Sequence, residues 1–175
     1  MFTEEETRAE IRIVAAALDA VGQRIGVLRK IRLHEAGPSE LMSALAEAES
    51  VRAAVKTAIG QALDISCKVP TQALGFDVNA GLNRALGQLR RADAVAASVT
   101  SALVGVAIDL AYDAEATPRR ADVELALVLL DRSRAASQAI AALRISGLIR
   151  DSKSWVRACT RRLAALRKIE ILETT

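Results

Sequence analysis

Aromatic side chains are nearly absent from this chain: its 175 residues contain only Phe2, Phe76, Tyr112 and Trp155. Proteins that bind single-stranded nucleic acid stack the bases on aromatic rings, so the composition argues against such a platform. Cysteine and histidine are also scarce, with two and one. Two cysteines do not make a disulfide framework, and one histidine cannot build a di-metal centre or a relay. We therefore expect a protein with no metal, no cofactor and no enzymatic activity.

Long hydrophobic runs are missing as well. The longest uncharged run spans residues 94–108, which is 15 residues and includes serine and threonine. A membrane-spanning helix needs about 20 apolar residues, so we interpret this run as a buried helix. The chain begins with acidic, polar residues, unlike a secretory signal. These features predict a soluble, cytoplasmic protein or a component of an assembled particle.

Alanine is abundant, with 35 residues, and apolar residues recur at alternating spacings of three and four. Such a seam, an apolar row on one face of a helix, is typical of helices packed lengthwise. The seam of helix 1 contains Ile11, Val14, Leu18, Val21, Ile25 and Leu28. That of helix 2 contains Leu41, Ala44, Ala48, Val51, Val55, Ala58, Ala62 and Ile65. That of helix 3 contains Leu82, Ala85, Leu89, Ala92, Ala96, Val99, Leu103, Val106 and Leu110.

Prolines at positions 38, 70 and 118 mark where helices begin or end. They predict helices over residues 3–35, 38–68, 80–114, 118–146 and 151–172, with a capping box formed by Thr3 and Glu6. Residues 69–79 are expected to form the one substantial loop. The predicted fold is all-α: a single domain over residues 1–175, built as an elongated bundle of four long antiparallel helices with a basic fifth helix.

The C-terminal helix is the best candidate for a binding site. Residues 147–175 hold seven basic and three acidic groups. Five of the basic residues fall on one helical face: Arg150, Lys153, Arg157, Arg161 and Lys168. Such a face can be a solvated surface, dock an acidic protein, or bind phosphates of nucleic acid or an anionic membrane. All three interpretations stay open at the level of sequence.

Phe76 is a second candidate, because it is an aromatic residue in the expected loop of an otherwise aliphatic protein. It can anchor a partner, or fold back and close the end of the bundle.

Asp64 and Asp109 lie near helix C-termini, where the helix dipole disfavours carboxylates, so we expect each to pair with an arginine.

Apolar residues outside the seams, among them Leu45, Ile59, Leu63 and Leu86, exceed what a slender bundle can bury and indicate self-association or burial in an assembly. The leading hypothesis is a non-enzymatic structural or adaptor subunit that acts through helix–helix contacts, as in phage particles or secretion systems. One alternative is a nucleic-acid-associated protein that uses helix 5 and Arg90-Arg91. The other is a membrane-active helical protein; no small-molecule substrate is indicated.

Overall fold

The computed structural model describes residues 3–69, 72–116 and 120–141, together with Arg161 and Ala164. These residues are 90% helical and contain no strand. Four helices follow one another: α1 (Glu4–Leu28), α2 (Pro38–Ser66), α3 (Gln72–Ala116) and α4 (Arg120–Ala141). Adjacent helices pack as a bundle, so the all-α prediction is confirmed. Apart from Arg161 and Ala164, the predicted fifth helix lies outside the described residues.

The N-terminus of α1 is capped as predicted. Thr3 Oγ1 accepts a hydrogen bond from the backbone N–H of Glu6 at 3.3 Å, and Glu6 Oε2 accepts one from the N–H of Thr3 at 2.8 Å. The hydrogen bond from the Thr3 backbone N–H above all, and a second one that Thr3 Oγ1 donates to Glu6 Oε2 at 3.0 Å, lower the pKa of Glu6 from its ordinary value. The box satisfies two N–H groups that a helix start otherwise leaves without partners.

The end of α1 was predicted wrongly. The helix stops at Leu28, seven residues before the expected position, and irregular turns follow. The next two seam positions after Leu28 are Arg32 and Glu35, which are charged. Without an apolar face to bury, these residues gain little from continuing the helix. Arg29, Lys30 and Arg32, which the predicted range places inside the helix, therefore lie beyond its end.

The expected loop over residues 69–79 is also largely wrong, because α3 begins at Gln72. Leu74 and Val78 are both buried, four residues apart, and extend the buried face of α3 towards its N-terminus. Gly75 and Asp77, which resemble turn residues, lie elsewhere on the helix. Tertiary burial of Leu74 and Val78 thus overrides the local preference for a turn.

The heptad seams of α1 and α2 are confirmed. All eight seam residues of α2 are buried, and five of the six in α1 are buried while Ile11 packs partly against the core. Leu45 is fully buried too, so it belongs to the core and not to the apolar residues that were expected to remain for an interface. Ile59 is half-buried against the core, whereas Leu63 and Leu86 are exposed as expected.

The seam of α3 departs from the heptad pattern. Its buried residues step by three, four, four, three, four, four and four, at Ala85, Gln88, Ala92, Ala96, Val99, Leu103, Ala107 and Ala111. Four of the predicted seam residues, Leu82, Leu89, Val106 and Leu110, are only half-buried. An α-helix has 3.6 residues per turn, so a seam that repeats every 3.5 residues drifts away from a straight face over a helix of 45 residues. The buried residues of α3 stay close to the helical period and therefore depart from the predicted seam.

The chain divides into two compact units. Unit 1 comprises Met1–Ile31 and Ala46–Val95, and unit 2 comprises Arg32–Leu45 and Ala96–Thr175. In unit 1, α1 and α2 run antiparallel: Arg24 contacts Glu47, while Val14 lies in one core cluster with Ile65. This cluster also contains Leu18, Ala58, Ala62, Val78 and Ala85.

Helices α1 and α3 run parallel within unit 1. Asp19 pairs with Arg84, and one turn further along both helices Gly22 lies against Gln88. Unit 1 is therefore an up-down-up arrangement of three helices. Each of its three helix pairs shares a polar contact, and these contacts are described with the candidate site below.

Within the part of the chain that the structure describes, one helix has the length and composition of a membrane span. The segment Leu74–Asp113 of α3 contains an 18-residue window with a mean hydropathy of 1.9, of which 44% is buried within the protein. The core helix of a soluble protein satisfies the same test. Residues 94–108 are helical as predicted, but only seven of these 15 residues are buried, so the predicted burial is confirmed in part.

Candidate functional site

Of the predicted basic face, only Arg161 lies within the described residues. It is helical and exposed. Arg150, Lys153, Arg157 and Lys168 lie outside the described part of the chain. The partner-binding role of this face stays a prediction.

Phe76 is not in a loop. It lies in the second turn of α3 and is 69% exposed, so it does not close the end of the bundle. A large apolar side chain on a rigid helix can still contact a partner, because little conformational entropy is lost when it binds. Phe76 therefore remains a candidate contact residue, but it lies on a helix and not in the predicted loop.

Exposed apolar side chains are spread over all four helices. Within the described residues, the large ones are Ile13, Val27, Leu63, Phe76, Leu86, Tyr112, Leu125 and Val128. Scattered apolar residues are normal on protein surfaces. Two of these residues, Ile13 and Val27, are nevertheless about two-thirds exposed on a single helix, directly beside its buried seam.

Ion pairs cross all three helix interfaces of unit 1. Between α1 and α2, Arg24 Nε donates to Glu47 Oε1 at 2.6 Å, and its Nη2 donates to Ser50 Oγ at 2.8 Å. The hydrogen bond from Arg24 lowers the pKa of Glu47, and the same bond raises the pKa of Arg24. Between α1 and α3, Arg84 donates to Asp19. Both pairs are partly exposed, so solvent screens them.

The third pair is buried. Arg52 Nε of α2 donates to Asp93 Oδ1 of α3, and less than a tenth of either side chain is exposed. The sequence interpretation missed this pair, although a signal was present. Arg52 and Asp93 each follow a seam residue directly, Val51 and Ala92, which places two opposite charges at the edge of two apolar seams.

A buried amide lies between α3 and α1. Gln88 is nine-tenths buried, and its Oε1 has no hydrogen-bond partner among the described residues. The position that a Cβ would occupy on Gly22 is 2.8 Å from Gln88 Nε2. Gly22 thus leaves the space that the Gln88 side chain fills.

Reactive groups do not converge within the described residues. No three His, Cys, Asp or Glu side chains there could hold a metal ion. Cys67 is exposed. Asp64 and Asp109 are exposed as well and form no ion pair within that part of the chain, contrary to the expected pairing with arginine. Water solvates these carboxylates instead, which removes the need for a partner.

A shallow groove of about 240 Å³ runs between α1 and α2 of unit 1. Val14 and Ile65 contribute its apolar part, and Glu10, Gln61 and Lys68 contribute polar groups. Exposed Ile13 stands at its edge. The groove offers a packing surface more than an enclosed pocket for a small molecule.

Comparisons with models of protein families, with curated proteins and with solved structures find no match to this chain.

Proposed function

We propose that this protein is a non-enzymatic structural or adaptor subunit that acts through helix–helix contacts, in a homo-oligomer or a larger assembly such as a particle or a secretion apparatus. The observation that supports it is the set of large apolar side chains left exposed on helices whose other faces are packed. Exposed apolar surface on a folded protein is favourable to bury against another chain. We retain the elongated antiparallel bundle and the basic helix over residues 151–172 as part of this proposal.

Size-exclusion chromatography with light scattering tests the proposal, with absorbance recorded at 260 and 280 nm. An oligomer at an integer multiple of 18.6 kDa supports it. A monomer at every concentration overturns self-association. Absorbance is informative here because the chain holds one Trp and one Tyr, so bound nucleic acid dominates the signal.

The alternative is binding of nucleic acid through basic residues. Arg90 and Arg91 on α3 and Arg161 are all exposed, which makes them accessible to phosphates. A 260 nm signal that decreases with added salt favours this alternative, because phosphate contacts weaken steeply with salt. Arg157→Glu with Arg161→Glu should then abolish binding while the helical content is unchanged.

The second alternative is membrane activity, in which α3 inserts into a bilayer. The hydropathy of Leu74–Asp113 is the observation that favours it. Leakage of anionic liposomes at neutral or acidic pH supports this alternative. Liposomes that stay intact in the presence of the protein reject it.

A further inference from the structure

Helix α1 carries a second seam beside its buried one. Ile13, Ala17, Ala20, Arg24 and Val27 are spaced by four, three, four and three residues, and each directly precedes a residue of the buried seam. We call these five residues the outer seam. All are exposed except Arg24, which is half-buried. The Arg24 guanidinium is held by Glu47 and Ser50, so its aliphatic stem covers part of this face.

The outer seam has the period of a helix-packing face. A row repeating every 3.5 residues stays in line along a partner helix. Small residues, Ala17 and Ala20, occupy its centre, while Ile13 and Val27 flank them. This pattern permits close approach at the middle. A surface helix of a monomeric bundle buries only one apolar face and so needs only one such seam.

Charge is distributed unequally along the same helix. Its first turn is acidic, with Glu4, Glu5 and Glu6, and Glu10 lies one heptad before Ala17. Arg8, which pairs with Glu4, and Arg12 lie at the same end, which therefore keeps an excess of two negative charges. Arg29 and Lys30 directly follow the C-terminus of the helix, and both are exposed. Within the described residues, neither Glu10 nor Lys30 takes part in an ion pair.

We propose that the outer seam of α1 pairs antiparallel with the outer seam of a second copy of this chain, around a two-fold axis between Ala17 and Ala20. This inference rests on the proposed function and names its partner. An antiparallel arrangement brings the acidic end of each α1 beside the basic end of the other. Opposite charges therefore meet at both ends of the helix pair. A parallel arrangement places like charges together at both ends.

The two-fold axis also makes the contact self-complementary and closed, as in most homodimers. Ala17 of each copy lies opposite Ala20 of the other, and Glu10 lies opposite Val27. The groove next to Ile13 receives side chains from the C-terminal part of the second α1. An unrelated acidic or basic partner would match only one end of the seam.

Ala20→Glu is the principal test, with Ala53→Glu as the matched control. Both alanines are exposed in helices of unit 1, and glutamate is a good helix former. At the axis, Ala20→Glu places two carboxylates against each other in a desolvated contact. We expect the dimer dissociation constant to rise by at least about tenfold, as on loss of a central contact, with no change for Ala53→Glu. Circular dichroism verifies that both variants stay helical.

Reversal of the end charges tests the complementarity. Glu10→Lys and Lys30→Glu should each weaken the dimer, and the combined variant should restore most of the affinity, because it exchanges the two ends. Affinity that falls further in the combined variant overturns the antiparallel pairing.

Cross-linking tests the direction of the helices, in a background of Cys67→Ser and Cys159→Ser. A short bis-maleimide should join two copies of Ala20→Cys but not two copies of Val27→Cys. In the antiparallel pair the two Val27 positions are separated by about 25 Å, from 1.5 Å per residue. Equal cross-linking at both positions means parallel helices and overturns the proposal.

The outcomes separate this inference from the proposed function. An oligomer that Ala20→Glu dissociates and Ala53→Glu does not supports the inference. An oligomer that resists Ala20→Glu overturns the α1 pairing and leaves self-association through another face. A wild-type monomer overturns both.

Discussion

In unit 1 the buried Arg52 of α2 pairs with Asp93 of α3, whereas in unit 2 the buried Thr100 and Ser133 donate hydrogen bonds to their own helices. Thr100 Oγ1 donates to Ala96 O at 2.7 Å, and Ser133 Oγ donates to Leu129 O at 2.7 Å. A hydroxyl bonded four residues back is satisfied wherever the helix packs. An ion pair between two helices is satisfied in one register only.

The comparison separates two ways to bury a polar group. The local hydroxyl bonds of unit 2 avoid the desolvation penalty but do not determine how the helix packs against its neighbours. The pair in unit 1 fixes which residues of α2 and α3 face each other, and removal of one partner leaves the other buried without this ion pair. Of the four predictions below, ordered from the largest expected effect to the smallest, the first and the last test this difference directly, and the other two measure further contacts of unit 1.

Asp93→Ala should reduce the free energy of unfolding by about 3–5 kcal/mol, because the Arg52 guanidinium keeps its burial and loses this carboxylate. Urea denaturation followed by circular dichroism measures it. As a control, Arg52→Met combined with Asp93→Leu should be neutral or stabilising, since no charge is then buried. A loss below about 1 kcal/mol in Asp93→Ala would show that water reaches this pair.

Gly60→Ala should raise the stability by about 0.5–1 kcal/mol, because alanine is the better helix former and no atom lies within 4 Å of its Cβ. Gly22→Ala has the same intrinsic gain. Its Cβ must displace Gln88, however, at about 0.5–1.5 kcal/mol for a strained rotamer. Thermal unfolding of the two variants compares them. Equal gains would mean that Gln88 moves aside freely.

The Arg24–Glu47 pair should contribute less than about 1 kcal/mol, since both side chains are more than a third exposed. The pKa of Glu47 is lowered from 4.5 in the folded state. Its contribution is therefore fully present well above pH 4.5 and is lost as the pH falls through the lowered pKa. Glu47→Gln should flatten the acid side of the stability–pH profile. An unchanged slope would assign that acid dependence to other carboxylates, including Glu6.

Ser133→Ala should change the stability by at most about 0.5 kcal/mol. The Leu129 carbonyl keeps its helical hydrogen bond, and alanine has the higher helix propensity. Chemical denaturation beside Asp93→Ala gives the contrast directly. A loss comparable to that of Asp93→Ala would show that the hydroxyl also supports a neighbouring helix.

The seams explain why most of the fold was predictable. In α1 and α2, regular three-and-four spacing of apolar residues identified nearly every buried position, and Thr3 with Glu6 identified the start of α1. The errors occurred where local signals conflicted with packing. Gly75 and Asp77 resemble a turn, but burial of Leu74 and Val78 extends α3 over them. The basic side chains within residues 29–35 suit the last turn of a helix, because they interact favourably with its dipole. No apolar seam continues past Leu28, however, so the helix ends there.

The candidate sites were predictable to a smaller extent. The exposure of Leu63 was expected from its position outside the seams. Phe76 was expected in a loop, either exposed or folded back on the bundle, and it lies exposed on α3 instead. The Arg52–Asp93 pair was not expected, because a charge beside a seam can face solvent or a neighbouring helix, and spacing along one helix does not distinguish these cases.

The sequence by itself determined that the chain forms helices, which faces of α1 and α2 are buried, and where α1 begins, because helical period and capping depend on residues at most four apart. The tertiary structure decided which buried charges meet, which residues of α3 are buried, and that Gly22 makes room for Gln88. The Arg52–Asp93 pair and the Gly22–Gln88 approach join residues 41 and 66 positions apart, and only the packing of one helix on another brings such residues together.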